Sequence, residues 1–239
     1  SLTLRAGEIV AVAGVSGNGQ TALAEVLCGT RPITSGRLQL SGETLRASPA
    51  WLVARGVARI PEDRRHIGVI GDLPLWENAV SENLREKPFS RAGWIDRKRA
   101  LSHARHIMET FDVRGGGSQI TVKSLSGGNM QKLILGRALC AHDDATPRLI
   151  VAHQPTWGLD IGAVAYVQTQ LIAARDAGAA VLVISDDLDE IFTLGDRIAV
   201  MHEGHLTAAL ANEEWTRESI GLAMAGLSSP AEFPGEMAA

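Results

Sequence analysis

The stretch GVSGNGQT, residues 14–21, follows the apolar run EIVAVA and precedes the helical run ALAEVL. A strand, a glycine-rich loop and a helix in that order match the phosphate-binding pattern G-x-x-x-x-G-K-[ST]. Gly14, Gly19 and Thr21 hold the fixed positions, and Ser16, Gly17 and Asn18 fill the loop between them. Gln20 stands where the pattern asks for lysine. Such a loop binds anions through its backbone N–H groups and the helix N-terminus, so losing one cation weakens the site without abolishing it. Glycine-rich turns between strand and helix also serve plain packing, and the stretch alone leaves both readings open.

The chain has 239 residues, 45% of them hydrophobic, which suffices for one packed core with a sub-domain. A formal net charge of -4 offers no basic field for nucleic acid. No apolar run approaches the roughly 18 residues of a membrane span. Ser1 opens almost directly onto core strand sequence, without the pattern of a signal peptide. Cys28 and Cys140 lie in apolar helical runs, as buried thiols of a reducing compartment do. These features point to a soluble cytoplasmic chain whose membrane role, if any, comes through a partner.

Strand-like runs fall at 8–13, 37–40, 57–61, 149–152, 180–185, 197–202 and 205–210, and helical runs at 21–28, 163–176 and 187–194. RLIVA and VLVIS are continuous apolar runs of the kind buried on both faces. The alternation predicts an α/β fold with a largely parallel sheet. The stretch 76–140 has little strand pattern. Ala100, Ala104, Ile107, Met108 and Phe111 recur at helical spacing, predicting an amphipathic helix packed on its own domain. A helical sub-domain over about 75–140 is therefore expected inside the α/β core, with a flexible joint at RGGGS, residues 114–118. Asp143 and Asp144 read as a solvated loop, and 227–239 as a disordered tail.

Four further stretches change the weight of the glycine loop. They are LSGGN at 125–129, QPTWGLD at 154–160 directly after RLIVA, VLVISDDLDEI at 181–191 and DRIAVMHEGHL at 196–206. Their order and spacing resemble the ATP-binding domain of ABC transporters, over residues 1–226. GNGQ, IPEDR at 60–64 and QPTxGLD together resemble the second of two ATP-binding domains carried on one chain. Such tandem chains energise bacterial importers of simple sugars and nucleosides. QPT in place of the usual DEPT is similar to the nucleoside branch.

The resemblance implies a P-loop NTPase-type fold with a parallel sheet, flanking helices and an antiparallel β portion. It implies ATP or ADP with Mg²⁺ as cofactors. The implied partners are a preceding homologous ATP-binding domain, inner-membrane permease subunits and, indirectly, a substrate-binding lipoprotein or periplasmic protein, with no nucleic acid. The implied location is the cytoplasmic face of the bacterial inner membrane. In that family the strand before this point carries an adenine-stacking aromatic, so the sequence reads as an excised domain cut slightly short. Base–aromatic stacking is worth roughly 1–3 kcal/mol.

Carried over residue by residue, the resemblance shows several departures. Gln20 replaces the lysine that reaches the β- and γ-phosphates, while Thr21 keeps a hydroxyl for Mg²⁺. His153 and Gln154 stand where the family has a metal-binding Asp and a water-polarising Glu. Imidazole serves Mg²⁺ poorly, and a neutral amide does not accept a proton as a carboxylate does. Asp186 falls at the switch histidine, and Glu62 at the glutamine that senses magnesium and faces the membrane partner. Leu125, Ser126, Gly127, Gly128 and Asn129 are intact, as are Gly158, Leu159 and Asp160 of the dimer-facing turn. Family domains pair head to tail, each LSGG closing on the nucleotide of the other. The departures together imply a chain with a degenerate site of its own and a signature that completes the partner's site. The rival expectations are a domain that hydrolyses ATP unaided and a soluble protein of the family acting on nucleic acid. Trp76 is expected either in the core or in a permease-facing groove, and Trp157 either over an apolar patch or at a dimer contact.

Overall fold

The computed structural model describes residues 1–84, 87–91, 93–140 and 146–227. Asp143, Asp144 and the expected tail beyond Leu227 lie outside them. In chain order the elements are β1 Ile9–Ala13, α1 Gln20–Leu27, β2 Gln39–Leu40, β3 Glu43–Thr44, α2 Pro49–Val53 and β4 Val57–Ile60. There follow α3 Leu75–Val80, β5 Ser90–Arg91, β6 Trp94–Ile95, α4 Arg97–Thr110 and α5 Gly127–Leu139. The last group is β7 Leu149–His153, α6 Ile161–Asp176, β8 Ala180–Ser185, α7 Leu188–Leu194, β9 Arg197–His202, β10 His205–Leu206, β11 Leu210–Ala211 and α8 Arg217–Met224.

The main sheet runs β10–β9–β1–β8–β7–β4, with β11 also paired to β9. The pairs β9–β1, β1–β8, β8–β7 and β7–β4 are parallel. Among the described strands, β10 and β11 pair antiparallel with β9, as do the strands of the hairpins β2–β3 and β5–β6 with each other. The α/β, largely parallel class read from the alternation is the observed one. β1, β7 and β8 are buried along their whole lengths, which accounts for their unbroken apolar sequence.

Side chains alternate across β1. Val10 and Val12 pack with Ala24 and Leu27 of α1, whereas Ala11 and Ala13 pack with Ile191 of α7 and Ile220 of α8. The expected strand over 205–210 is split. Thr207 Oγ1 accepts the Val200 N–H (2.9 Å), and the Thr207 N–H donates to the Val200 carbonyl (3.0 Å). A hydroxyl thus replaces one ladder acceptor and parts β10 from β11.

Among the described residues between β4 and β7, the longer elements are the helices α3, α4 and α5. Ala100, Ala104, Ile107 and Phe111 of α4 and Leu133, Ile134 and Leu135 of α5 share one cluster with Ile60 of β4 and Ile150 of β7. Trp76 belongs to that cluster and is only 7% exposed, so it is a core residue and not an anchor in a groove. The 114–118 stretch is tied down: the Arg114 N–H donates to Asn129 Oδ1 (2.6 Å), while Gly115 and Gly116 take φ of 115° and 143°.

Candidate functional site

Register sets the site. Ala13 of β1 pairs with Ser185 of β8, and His153 of β7 pairs with Ile184. The carboxyl ends of three parallel strands therefore meet at one edge, where open α/β sheets bind ligands. The loop at 14–19 leaves that edge and turns into α1, with Gly17 and Gly19 at φ 93° and 113°. Asn18 fixes it from outside. Its Nδ2 donates to the Val15 carbonyl (2.9 Å), and its Oδ1 and backbone carbonyl accept from Glu203 N–H and Gly204 N–H (both 2.8 Å).

Gln20 turns its amide inward. Its side chain is buried, and Nε2 donates to the Val15 carbonyl at 2.7 Å. A Cβ at Gly14 would lie 2.6 Å from the same nitrogen. The amide is therefore packed inside the loop, where the backbone carbonyl is a closer partner than solvent. Its Oε1 is buried with no partner among the described residues. Thr21 is exposed at the start of α1 and lines a cavity of about 270 Å³ together with Glu62 and His153.

His153 ends β7, buried, with Nε2 3.6 Å from the Glu62 carboxylate. Burial holds its pKa below the ordinary 6.5, against the pull of Glu62 and Asp186. Gln154 takes a left-handed conformation (φ 48°) and donates its N–H to the Ile184 carbonyl (2.8 Å). Its buried side chain accepts from Ser185 Oγ at 3.4 Å, so the amide is turned into the sheet end. Asp186 is exposed just beyond β8.

These donors fit the two parts of a metal-nucleotide unequally. The left-handed glycines open loop backbone to phosphate. Potential metal donors here are the Thr21 hydroxyl, the Glu62 and Asp186 carboxylates and the His153 imidazole, but no group of three or more His, Cys, Asp or Glu side chains suited to a metal occurs among the described residues. Mg²⁺ prefers near-octahedral oxygen, and this set supplies only part of such a shell, which fits weak binding at most.

A second cluster lies apart from the first. Ser126 caps α5, its Oγ accepting from the Asn129 N–H (3.4 Å) and Nδ2 (3.0 Å). Gly127 and Gly128 are the first residues of that helix, which directs their N–H groups outward. Leu125 is buried in the core, so its side chain is structural. Gly158 turns the chain at φ 63°, Leu159 is partly buried, and Asp160 caps α6 by accepting from the Ala163 N–H (3.0 Å). A Cβ on Gly128 would stand 3.8 Å from that of Ala163, so the two helix starts abut. They share a cavity of about 520 Å³. Trp157 is 62% exposed at the turn, not folded over an apolar patch.

Three residues here escaped the sequence reading. Gln131 Nε2 donates to the Pro155 carbonyl (2.8 Å), joining α5 to the turn. Arg64 donates Nη2 to the Gly158 carbonyl (3.2 Å). Glu190 lies buried beside Ser185 and Thr156. A polar residue inside an apolar helical run, as in MQKLIL, was the available signal for Gln131.

A glycine loop between β1 and α1, at the carboxyl ends of parallel strands, defines a P-loop nucleotide-binding domain. The chain belongs to the ABC transporter family, whose profile matches residues 1–147. It is 42% identical over 227 residues to the nucleoside import ATP-binding protein NupA of Lactococcus lactis, covering 95% of this chain and 44% of that protein. It is 41% identical to the guanosine import ATP-binding protein NupO of Bacillus subtilis, with the same two coverages. A glucose import ATP-binding protein of Haloferax volcanii is 43% identical over 94% of this chain and 41% of its own length. The chain thus spans less than half of the curated relatives it matches. Among solved structures, the dimeric post-hydrolysis state of an ATP-binding cassette bound to ADP and Pi superposes with a TM-score of 0.72 at 20% identity, covering 88% of each chain. A nucleotide-free cassette gives the same TM-score at 22% identity, over 89% of this chain and 84% of the other. Both show the fold. No helix among the described residues is long and apolar enough to cross a membrane.

Proposed function

We propose that this chain is the nucleotide-binding domain of a nucleoside or simple-sugar importer, with a weak ATP site of its own and a signature that completes the site of a homologous partner domain. One contrast carries the reading. At the loop cluster, the positions for charge, metal, water and phosphate sensing hold Gln20, His153, Gln154 and Asp186. At the second cluster, Ser126 caps a helix opened by Gly127 and Gly128, which lines one cavity with Asp160. The buried amide of Gln20 deepens the contrast, since its nitrogen is packed inside the loop and already donates to the Val15 carbonyl.

Residues 1–226 form the ATP-binding domain in this reading, with a helical sub-domain at 75–140. The names of two of the relatives and the QPT at 154–156 support the nucleoside branch, while a third relative, named for glucose import, supports the sugar branch. The partners are the preceding homologous domain, permease subunits at the cytoplasmic face of the inner membrane and, through them, a substrate-binding lipoprotein. Mg²⁺ binds weakly at the chain's own site. ATP binding and domain closure drive transport, and this domain alone hydrolyses little or no ATP.

The test compares Gly128→Asp with Thr21→Ala in the full-length protein assembled with its permease. Gly128→Asp sets a negative charge against the partner's γ-phosphate, a repulsion of about 4 kcal/mol at an effective dielectric near 20. Substrate-stimulated ATPase and uptake should be lost with Gly128→Asp and largely kept with Thr21→Ala. The opposite pattern would show that the loop cluster is the working site.

A further inference from the structure

The segment leaving β4 touches both clusters. Glu62 faces His153 at 3.6 Å, and two residues on Arg64 donates to the Gly158 carbonyl at 3.2 Å. A Cβ at Gly158 would lie 3.1 Å from Arg64 Nη2, and one at Gly127 would lie 3.7 Å from Nε and 3.9 Å from Cζ. The guanidinium therefore lies between two glycines, one opening α5 and one in the turn before α6. A Cβ at Gly158 would press on it, while one at Gly127 would only touch it.

Its nearest acidic neighbour is committed elsewhere. Asp63 Oδ1 accepts the N–H groups of Arg65 (3.0 Å) and His66 (2.9 Å), capping the tight turn Arg64–Gly68, and Oδ2 meets His66 Nδ1 at 2.8 Å. Among the described residues Arg64 forms no ion pair within 4.0 Å; its partner is a neutral carbonyl. Burial lowers its pKa, with Asp63 only partly opposing. A half-buried guanidinium whose partner is a neutral carbonyl keeps further N–H donors for an anion. It sits beside a helix N-terminus, where the positive potentials of peptide dipoles and guanidinium add.

We propose that Arg64 is the positioning residue of the signature: it holds the Gly158 turn against Gly127, fixing the N–H groups of Gly127 and Gly128 and the Asp160 cap for a phosphate presented by the partner domain. This rests on the reading that the LSGGN segment completes another domain's nucleotide site. The planar fork of arginine spans both glycines, which the single ammonium of lysine does not.

The experiment measures ATPase kcat and KM in the full-length protein with its permease, for Arg64→Ala, Arg64→Lys and Gly128→Asp, with thermal melts of each. Arg64→Ala should lower kcat by about tenfold or more while KM moves less than about twofold, as for an interaction made after nucleotide binds. Arg64→Lys should melt like the parent and recover only part of kcat. Parental kcat in Arg64→Lys, or a kcat within about twofold of parent in Arg64→Ala, would overturn the positioning role. If either occurs while Gly128→Asp is silent, the role of Arg64 falls and the complementing signature stands. If Gly128→Asp stays active, the underlying reading falls instead. Should Arg64→Ala fail to fold, the lysine variant decides alone.

Discussion

Glu190 is 1% exposed on α7, in contact with Ser185 and Thr156, and one carboxylate oxygen has no partner among the described residues. Burial raises its pKa above the ordinary 4.5; the hydrogen bonds from Ser185 and Thr156 oppose this, and Asp187 and Asp186 reinforce it. The native state thus holds the proton more tightly than the unfolded chain. Its contribution to stability is fully present below about pH 4.5 and is lost as pH rises through the raised value. Glu190→Gln keeps the shape and removes the titration. Urea melts should find parent and variant alike near pH 4, and the variant more stable at pH 8, by about 1.4 kcal/mol for each unit of the shift. A variant less stable than parent at pH 8 would show that the ionised carboxylate is held by its neighbours after all.

Helix α5 contains a glycine where propensity argues for alanine. Gly136 costs roughly 0.5–1 kcal/mol relative to alanine in a helix interior. Yet a Cβ there would lie 2.4 Å from Ile107 Cγ2 and 3.1 Å from Phe111 Cδ2, both on or just beyond α4. Gly136→Ala should therefore destabilise by about 1–3 kcal/mol, the range for overpacked cores. Adding Ile107→Val should recover part of it, and thermal melts of the two variants measure the coupling. A stabilised single variant would mean that α4 yields freely. That α4–α5 contact also marks what sequence made legible. The spacing of Ala100, Ala104, Ile107 and Phe111 predicts α4 because a buried face imposes a period, and the apolar runs of β7 and β8 predict central strands for the same reason. The break between β10 and β11 was not legible, since it depends on one hydroxyl, Thr207, standing in for a ladder group. The glycine loop and the LSGGN segment were visible as patterns. The orientation of Gln20 was not, because its partner is a backbone carbonyl five residues earlier, nor was Arg64, whose partner is 94 residues away.

At the scale of the molecule, the loop cluster and the signature cluster open into different cavities that share no lining residue. One chain therefore does not enclose a nucleotide between its own loop and its own LSGGN segment; in the proposed function a second, homologous domain closes each site. The turn between the clusters presents apolar side chains outward, with Trp157 62% and Ile161 89% exposed around Asp160. A tryptophan of roughly 150–250 Å² that is about two-thirds exposed stands to bury on the order of 100–150 Å² more on closure, or ~3 kcal/mol at 25 cal/mol per Å². Trp157→Ala forgoes most of that, while the fold loses little because the side chain is already in solvent. In the full-length protein, the ATP concentration for half-maximal closure, followed by small-angle scattering, should rise by tenfold or more, each tenfold being about 1.4 kcal/mol. The melting temperature without nucleotide should stay at the parental value. An unchanged half-point would place Trp157 outside the closing surface, and a lowered melting temperature would mean that the indole packs against its own domain.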